Sequence, residues 1–457
     1  SLSNEPLIYV DGIRVDGRNE IARPDGAESS PATSYDATGG GAAGRLNDIN
    51  PADIESIEIV KGPAAATLYG ADASAGVIQI ITKRGRQGEF RQNMTVEYSS
   101  NDKNFDLKRN WATCTQAAID AGAYLCQGQP VGHLVSDNPL ERAGAFRTGN
   151  RLTTNWSGRG GGEDYGYYTS LNWTDEEGTV TNNSYANLRG RINFDWAPSE
   201  KLRLETSYAL GKVDNNLPMS NHSPLGIPTS GYLGNPLVLM DADQDGCGFG
   251  KCVGILKAEH NIRTLKNSIA MTARHTPLDW FNQSLTLGGD FTRTERRQFF
   301  PKNDQGWYFG EINKGYVDEN RNTFENVTVD YLGNFDATHG DDDQWASDLS
   351  VGVQFIRTRE EFVVATGVGL TTNTARVVSA ATERAGAQWF RDNRSLGYLA
   401  QYQLGYRDRL FIQVGARWDQ NSSFGESAPV FFLPKVGVSY VLSDDPSFRE
   451  AFSWVDQ

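Results

Sequence analysis

The residues best placed to do chemistry lie in one short run, Asp241-Ala242-Asp243-Gln244-Asp245-Gly246, with Cys247 next and Cys252 shortly after. Aspartates at alternate positions before a glycine open a calcium loop, because carboxylate oxygens suit a hard cation and glycine permits the sharp turn. The twelfth position, where an EF-hand needs Glu, is Cys252. The spacing therefore points to a weak structural calcium turn, with an acidic solvated turn as the plainer alternative. The cysteines fall in two close pairs, Cys114/Cys126 and Cys247/Cys252. That suits local disulfides in oxidising surroundings, with metal ligation or free thiols as the alternatives. His133, His222, His260, His275 and His339 share no ligand spacing. Gly39, Gly41 and Gly44 match GxGxxG formally, but no strand precedes them and no helix follows, so a flexible loop is expected. There is no GxSxG, HExxH or Walker sequence, and no carboxylate pair stands out. An enzyme is not expected, and no cofactor is required; calcium is a candidate structural ion only.

Composition narrows the class. A net charge of -14 without a basic run argues against a nucleic-acid partner. No segment approaches the roughly 18 apolar residues of a membrane helix. A β-barrel is compatible with the 38% hydrophobic content, because alternating strands hide their apolar half from any averaged scale.

From Met94 onward the pattern has period 2. Leu188, Gly190, Ile192, Phe194 and Trp196 share one parity, and Arg189, Arg191, Asn193 and Asp195 the other. Leu202, Leu204, Thr206, Tyr208 and Leu210 alternate likewise with Lys201, Arg203, Glu205 and Ser207. About twelve strands are expected, near 94–100, 151–157, 167–173, 186–196, 201–211, 267–275, 281–292, 325–336, 346–357, 396–406, 409–419 and 435–442. Parity alone fits a soluble sandwich equally well. The connections, however, alternate short with long, as in bacterial barrels with short periplasmic turns and long extracellular loops. Tryptophans near strand ends (Trp156, Trp173, Trp196, Trp280, Trp418) read as interfacial girdles, with sugar stacking or core packing as alternatives. Trp307, Tyr308, Phe309 and Trp389, in expected loops, are candidates for substrate contact.

Ahead of these strands, residues 54–85 form a compact unit: a strand over 54–60, a break at Lys61-Gly62, a short helix started by Pro63, and a strand over 77–83. Gly70 is placed to cap that helix. Residues 16–45, rich in Gly, Ala, Ser, Asp and Pro, read as a loop.

PLIYVDG (6–12) and LNDINPADIESIEIVKGPAAATLYGADASAGVIQIITKRG (46–85) resemble the plug of TonB-dependent outer-membrane transporters, most closely the SusC/RagA branch. The motif positions are Asp11, Gly12, Asp53, Glu55, Glu58, Lys61, Gly62, Pro63, Tyr69, Gly70, Gly76, Lys83 and Gly85. Gly62-Pro63 departs from the branch, many of whose members have Asp-Ala there, and is commoner in siderophore-type receptors. Residues 169–180, 395–425 and 431–448 are similar to SusC-type barrel strands.

The resemblance implies an all-β transmembrane barrel, antiparallel and incomplete in this chain, with a small N-terminal α/β plug domain. The plug domain would span 1–88 and the partial barrel 89–457. A leader and a TonB-contacting segment would precede Ser1, and about ten further strands would follow, since such barrels have roughly 22. It further implies import of glycan or peptide fragments across the bacterial outer membrane, the 16–45 loop facing substrate. The expected partners are the TonB–ExbB–ExbD complex, a SusD-like surface lipoprotein and outer-membrane lipid. A siderophore or cobalamin receptor is the alternative within the class, and a non-transporting surface barrel or adhesin the alternative outside it.

Overall fold

The computed structural model describes residues 6–17, 49–61, 69–104, 106–219, 225–238, 246–308, 310–340, 344–424, 430–442 and 448. Four strands come first: β1 (Leu7–Val10), β2 (Ile13–Val15), β3 (Ile54–Val60) and β4 (Val77–Thr82). They form one sheet in the order β2-β1-β4-β3, with β1 parallel to β4 and the other pairs antiparallel. The β1–β2 turn needs left-handed backbone at Asp11 (φ 48) and Gly12 (φ 87). Ile8, Val10, Ile13, Val15 and Ile80 make the small core beneath. The expected helix after Pro63 lies outside the described residues, and Ala71–Ala75 is a 3-10 turn entered through Gly70 (φ 88).

The rest is β5 (Gly88–Asn101), a side hairpin of β6 (Asn110–Thr113) and β7 (Leu134–Asp137), then β8 (Gly149–Gly161) and β9 (Tyr165–Glu177). There follow β10 (Ser184–Ser199), β11 (Leu202–Asn216), β12 (Glu259–Leu278), β13 (Phe281–Phe300) and β14 (Tyr316–His339). The last are β15 (Trp345–Leu370), β16 (Ala381–Tyr406), β17 (Leu410–Asn421) and β18 (Phe431–Tyr440). Apart from the β6–β7 hairpin these make one antiparallel sheet of 12 strands, each paired with its sequence neighbours and β5 joined to β8. Among the described residues β5 and β18 pair on one side only, so this stretch of barrel wall is open. The expected fold class is what is found.

Side-chain facing follows parity. Ile192 is 56% and Phe194 43% exposed on the convex face. Arg191 and Asp195 point to the concave face, where the four-stranded domain sits. Lys201 departs from the pattern: it lies in the turn before β11 and donates to the Pro277 carbonyl. Aromatic clusters mark one rim of the convex belt, with Phe281 and Phe335 stacked 4.7 Å apart and Trp345 on Tyr406 at 4.5 Å.

The strands run well past their expected ends, most of all β15 and β16, which were expected at 346–357 and 396–406. Beyond the apolar belt the outward residues become charged (Arg357, Arg359 and Glu361 on β15, Asp392 and Arg394 on β16). Both faces are then wet, so the hydrophobic alternation fades while the backbone ladder continues unbroken through Val368↔Glu383. Short turns at 162–164, 200–201, 279–280 and 407–409 close one rim, where β14 also passes to β15, and the longer loops lie at the other. Those loops are not loose. Leu140, Met219, Leu225, Ile227, Ile255, Phe300, Tyr308 and Ile312 pack into a separate apolar cap.

Candidate functional site: the plug seam and the cavity above it

The concave wall holds the four-stranded domain through a polar seam built on two motif aspartates. Asp11, at the β1–β2 turn, accepts from the Thr82 amide at 3.0 Å and its hydroxyl at 2.7 Å. From the wall, Ser207 Oγ donates to it at 2.9 Å and Arg191 Nη1 at 3.2 Å. Arg191 Nε also lies 3.7 Å from Asp53, which accepts from the Tyr168 hydroxyl at 2.9 Å. Asn193 Nδ2 reaches Thr82 Oγ1 and the Lys83 carbonyl, and Arg84 pairs with Asp195 at 3.0 Å. Dry ion pairs are retained only where both charges find close partners, which this seam supplies.

A second anchor lies round the wall, where Asp290 accepts from the Asp16 amide at 3.0 Å and from Ser268 at 2.5 Å, with Lys266 at 3.9 Å. On β14, Asn326 Nδ2 donates to the Arg14 carbonyl and Thr328 Oγ1 accepts from the Arg14 amide. Gly85, where the chain passes into the wall, admits no side chain: a Cβ there would lie 2.0 Å from the Tyr167 nitrogen. Inside the small domain the Tyr9 phenol is pushed up by burial and stays protonated, its ring 4.9 Å from that of Tyr69.

Other motif positions have local structural roles. Gly76 (φ 98) lets the chain turn against the Val60 carbonyl, and Lys83 Nζ donates to the Ala52 carbonyl. Glu55 pairs with Arg86 at 3.2 Å, while Glu58 and Lys61 are exposed. Gly62 and Pro63 lie outside the described residues. So do Asp241, Asp243 and Asp245, Phe309, and most of the 16–45 loop. Cys114–Cys126 and Cys247–Cys252 are disulfides, each in the loops of the long-loop rim. Two candidate substrate aromatics are structural instead. Tyr308 is buried in the cap, its hydroxyl donating to the Gly254 carbonyl, and Trp307 packs on that core beneath Lys257. Trp389 belongs to β16, with Arg391 5.0 Å from its ring.

Above the seated domain, toward the long-loop rim, the wall encloses a cavity of about 650 Å³. Asn50, Pro51 and Ala52 form its floor, and Asn155, Asn172 and Asn187 stand among its wall residues. Its charged lining residues are two acids, Glu97 and Glu176, and two arginines, Arg151 and Arg189, so the formal charge cancels. Sequence reading placed Arg191, Asn193, Asp195 and Ser207 only on the polar parity of their strands, without a role, and it missed Tyr168 altogether. The available signal was their inward parity on neighbouring strands.

An antiparallel wall with an apolar convex belt, an inward polar face and a seated α/β domain defines a plugged outer-membrane barrel. Residues 1–77 match the TonB-dependent Receptor Plug Domain. The chain is 30% identical over 203 residues to the TonB-dependent receptor SusC of Bacteroides thetaiotaomicron, covering 43% of this chain and 17% of that protein. It is 22% identical over 481 residues to TonB-dependent receptor P26 of Formosa agariphila, covering 97% of this chain and 43% of that protein. The RagAB peptide importer in its closed-closed state shares the fold, with TM-score 0.71 at 16% identity over 100% of this chain and 52% of that one. The chain thus spans less than half the length of these curated relatives and about half of the RagAB chain.

The chain carries the plug domain of TonB-dependent receptors, a family of the bacterial outer membrane, and resembles that family along its wall. Within that class it is SusC/RagA-like. The family is one of receptors and transporters rather than enzymes.

Proposed function

We propose that this receptor imports neutral, hydroxyl-rich oligomers, foremost glycan fragments, across the outer membrane by a TonB-driven cycle. The observation that carries the reading is the cavity over the seated plug, whose wall is carboxamide and hydroxyl with cancelling charge. Asn and Thr side chains donate and accept, which suits sugar hydroxyls. Pro51, Ala52, Val213 and Ile262 are its few apolar lining residues, a poor match for the varied side chains of a peptide. The TonB–ExbB–ExbD complex supplies the pull that unseats the plug, and a SusD-like lipoprotein closes the outer mouth. Calcium at Asp241, Asp243 and Asp245 is proposed as a structural ion of the outer loops.

Gly62-Pro63 favours a second reading, a siderophore receptor. Anionic ferric chelates would call for net positive charge in the cavity, which the paired Arg151 and Glu176, 3.8 Å apart, do not offer. Uptake of fluorescent neutral oligosaccharides and of ferric siderophores is to be compared in cells with and without the receptor, and with TonB deleted. Receptor- and TonB-dependent glycan uptake supports the first reading. Uptake of the iron chelate alone overturns it.

A further inference from the structure

Outside the seam and the cavity, the concave wall carries an aromatic pair. Phe362 of β15 stands directly opposite Trp389 of β16, and both are half-buried. The next inward pair toward the plug is Glu360 opposite Arg391. Arg391 is exposed and lays its guanidinium 5.0 Å from the centre of the Trp389 ring. Glu360 accepts from Asn322 Nδ2 at 3.3 Å. Toward the long-loop rim the next inward residue of β16 is Ala387, which adds little bulk beside the ring.

Strand register ties this pair to the cavity. Asn187 pairs with Val213 and Val213 with Thr264, and all three line the cavity. The same row continues from Thr264 to Thr294, then to Asn322, Phe362 and Trp389. A parallel row nearer the short-turn rim runs from Arg191 through Ala209, Ser268 and Asp290 to Asn326. Arg191, Asp290 and Asn326 in that row hold the plug. The aromatic pair therefore lies about 13 Å further out along the strands than the plug contacts, and roughly 19 Å round the wall from Thr264.

A half-open aromatic ring offers an apolar surface, and the C–H face of a sugar ring is the apolar side of a hydroxylated molecule. The guanidinium fork beside it donates to neighbouring hydroxyls, and the carboxylate opposite accepts from them. The charges of Arg391 and Glu360 cancel, so the grouping suits a neutral ring.

We propose that Phe362 and Trp389, flanked by Arg391 and Glu360, form an outer subsite for sugar rings, which a long oligomer occupies together with the cavity. The inference rests on reading the receptor as an importer of hydroxyl-rich oligomers, and it extends that reading to chain length. A short fragment fills the cavity alone, whereas a long one also stacks a ring on Trp389. Two contacts on one ligand reinforce each other, because the second forms at the effective concentration set by the first. The receptor therefore prefers long fragments.

The test compares disaccharides and hexasaccharides of a panel of neutral linear glycans for binding to the purified receptor. Wild type should bind the hexasaccharide of its best glycan more tightly than the disaccharide, and equal affinity overturns the proposal. Trp389→Leu should cut hexasaccharide affinity about tenfold and leave disaccharide affinity unchanged. Trp389→Phe, which keeps a ring, should retain most of the affinity. Heat-modifiable gel mobility shows whether each variant barrel is folded. If Trp389→Leu does not fold, Arg391→Met at an exposed position makes the same comparison. Unchanged hexasaccharide affinity in the folded variant, or equal loss for both lengths, overturns the outer subsite and leaves the import reading standing. A wild-type receptor that binds neither length removes the glycan reading, and the outer subsite with it.

Discussion

Replacing Arg191 with Met keeps most of the side chain's length and removes a guanidinium lying 3.2 Å from Asp11 and 3.7 Å from Asp53. At an effective dielectric of about 20, Coulomb's law gives roughly 5 kcal/mol for each contact. Desolvating three charges consumes much of that, so the intact trio adds little net stability. Removing the guanidinium from between two carboxylates whose side chains are 1% and 7% exposed is different: Thr82, Ser207 and Tyr168 still donate to them, but loss of the shared charge partner costs about 3 kcal/mol. The cost falls on the boundary between plug and wall, so the wall should stay folded while the plug opens more often. At about 1.4 kcal/mol per tenfold, amide exchange in β3 and β4 should quicken by about a hundredfold or more. Adding Asp11→Asn to Arg191→Met should recover part of the loss, because one stranded charge is gone. Unchanged plug exchange in Arg191→Met, or an Asp11→Asn cost that simply adds, would refute the reasoning.

Gly85→Ala should prevent proper hand-over from plug to wall, since its Cβ meets the Tyr167 and Gly166 backbone, and heat-modifiable gel mobility reads that loss of folded barrel. Ile192→Arg puts a charge on the convex belt and should cost about 2–4 kcal/mol in a denaturant titration from bilayers if the site is near the midplane. Asp392, outside the apolar belt, is held down at about 2 by Arg357, from an ordinary 3.8. Its folded-state pKa is depressed, so its stabilisation is present above pH 3.8 and lost as pH falls toward about 2. Asp392→Asn should thus lower the melting temperature at neutral pH and make no difference at the acid end. Calcium at millimolar level should slow proteolysis within residues 239–246 if the aspartates bind it, and Asp243→Asn should abolish the effect.

Period-2 patterning made the wall legible wherever one face meets lipid and the other water, as from Leu188 to Trp196. It fell silent where both faces are wet, which is why β15 and β16 read as half their real span. The plug was legible because the Asp11 and Gly12 turn and the Ile54–Val60 strand are local devices. Its seam was not, since Asp11 and Arg191 lie 180 positions apart and nothing in either neighbourhood names the other. The outer cap escaped for a related reason. Its core is assembled from Leu140, Met219, Ile255 and Phe300, each isolated in its own segment, and such scattered apolar residues look like ordinary loop composition. Trp307 and Tyr308 were misjudged as contacts because aromatic character says nothing about which side of a loop faces water.

The 26-residue strands β15 and β16 have a consequence for where capture occurs. At about 3.3 Å per residue and a tilt near 40°, such strands rise roughly 65 Å along the barrel axis, against an apolar band of about 25 Å. Some 40 Å of hydrogen-bonded collar is therefore left to stand in water, most of it on the side of the long loops. A molecule arriving from outside meets a rigid vestibule well before it reaches the depth of the lipid. On the import reading proposed above, confinement of the substrate begins there.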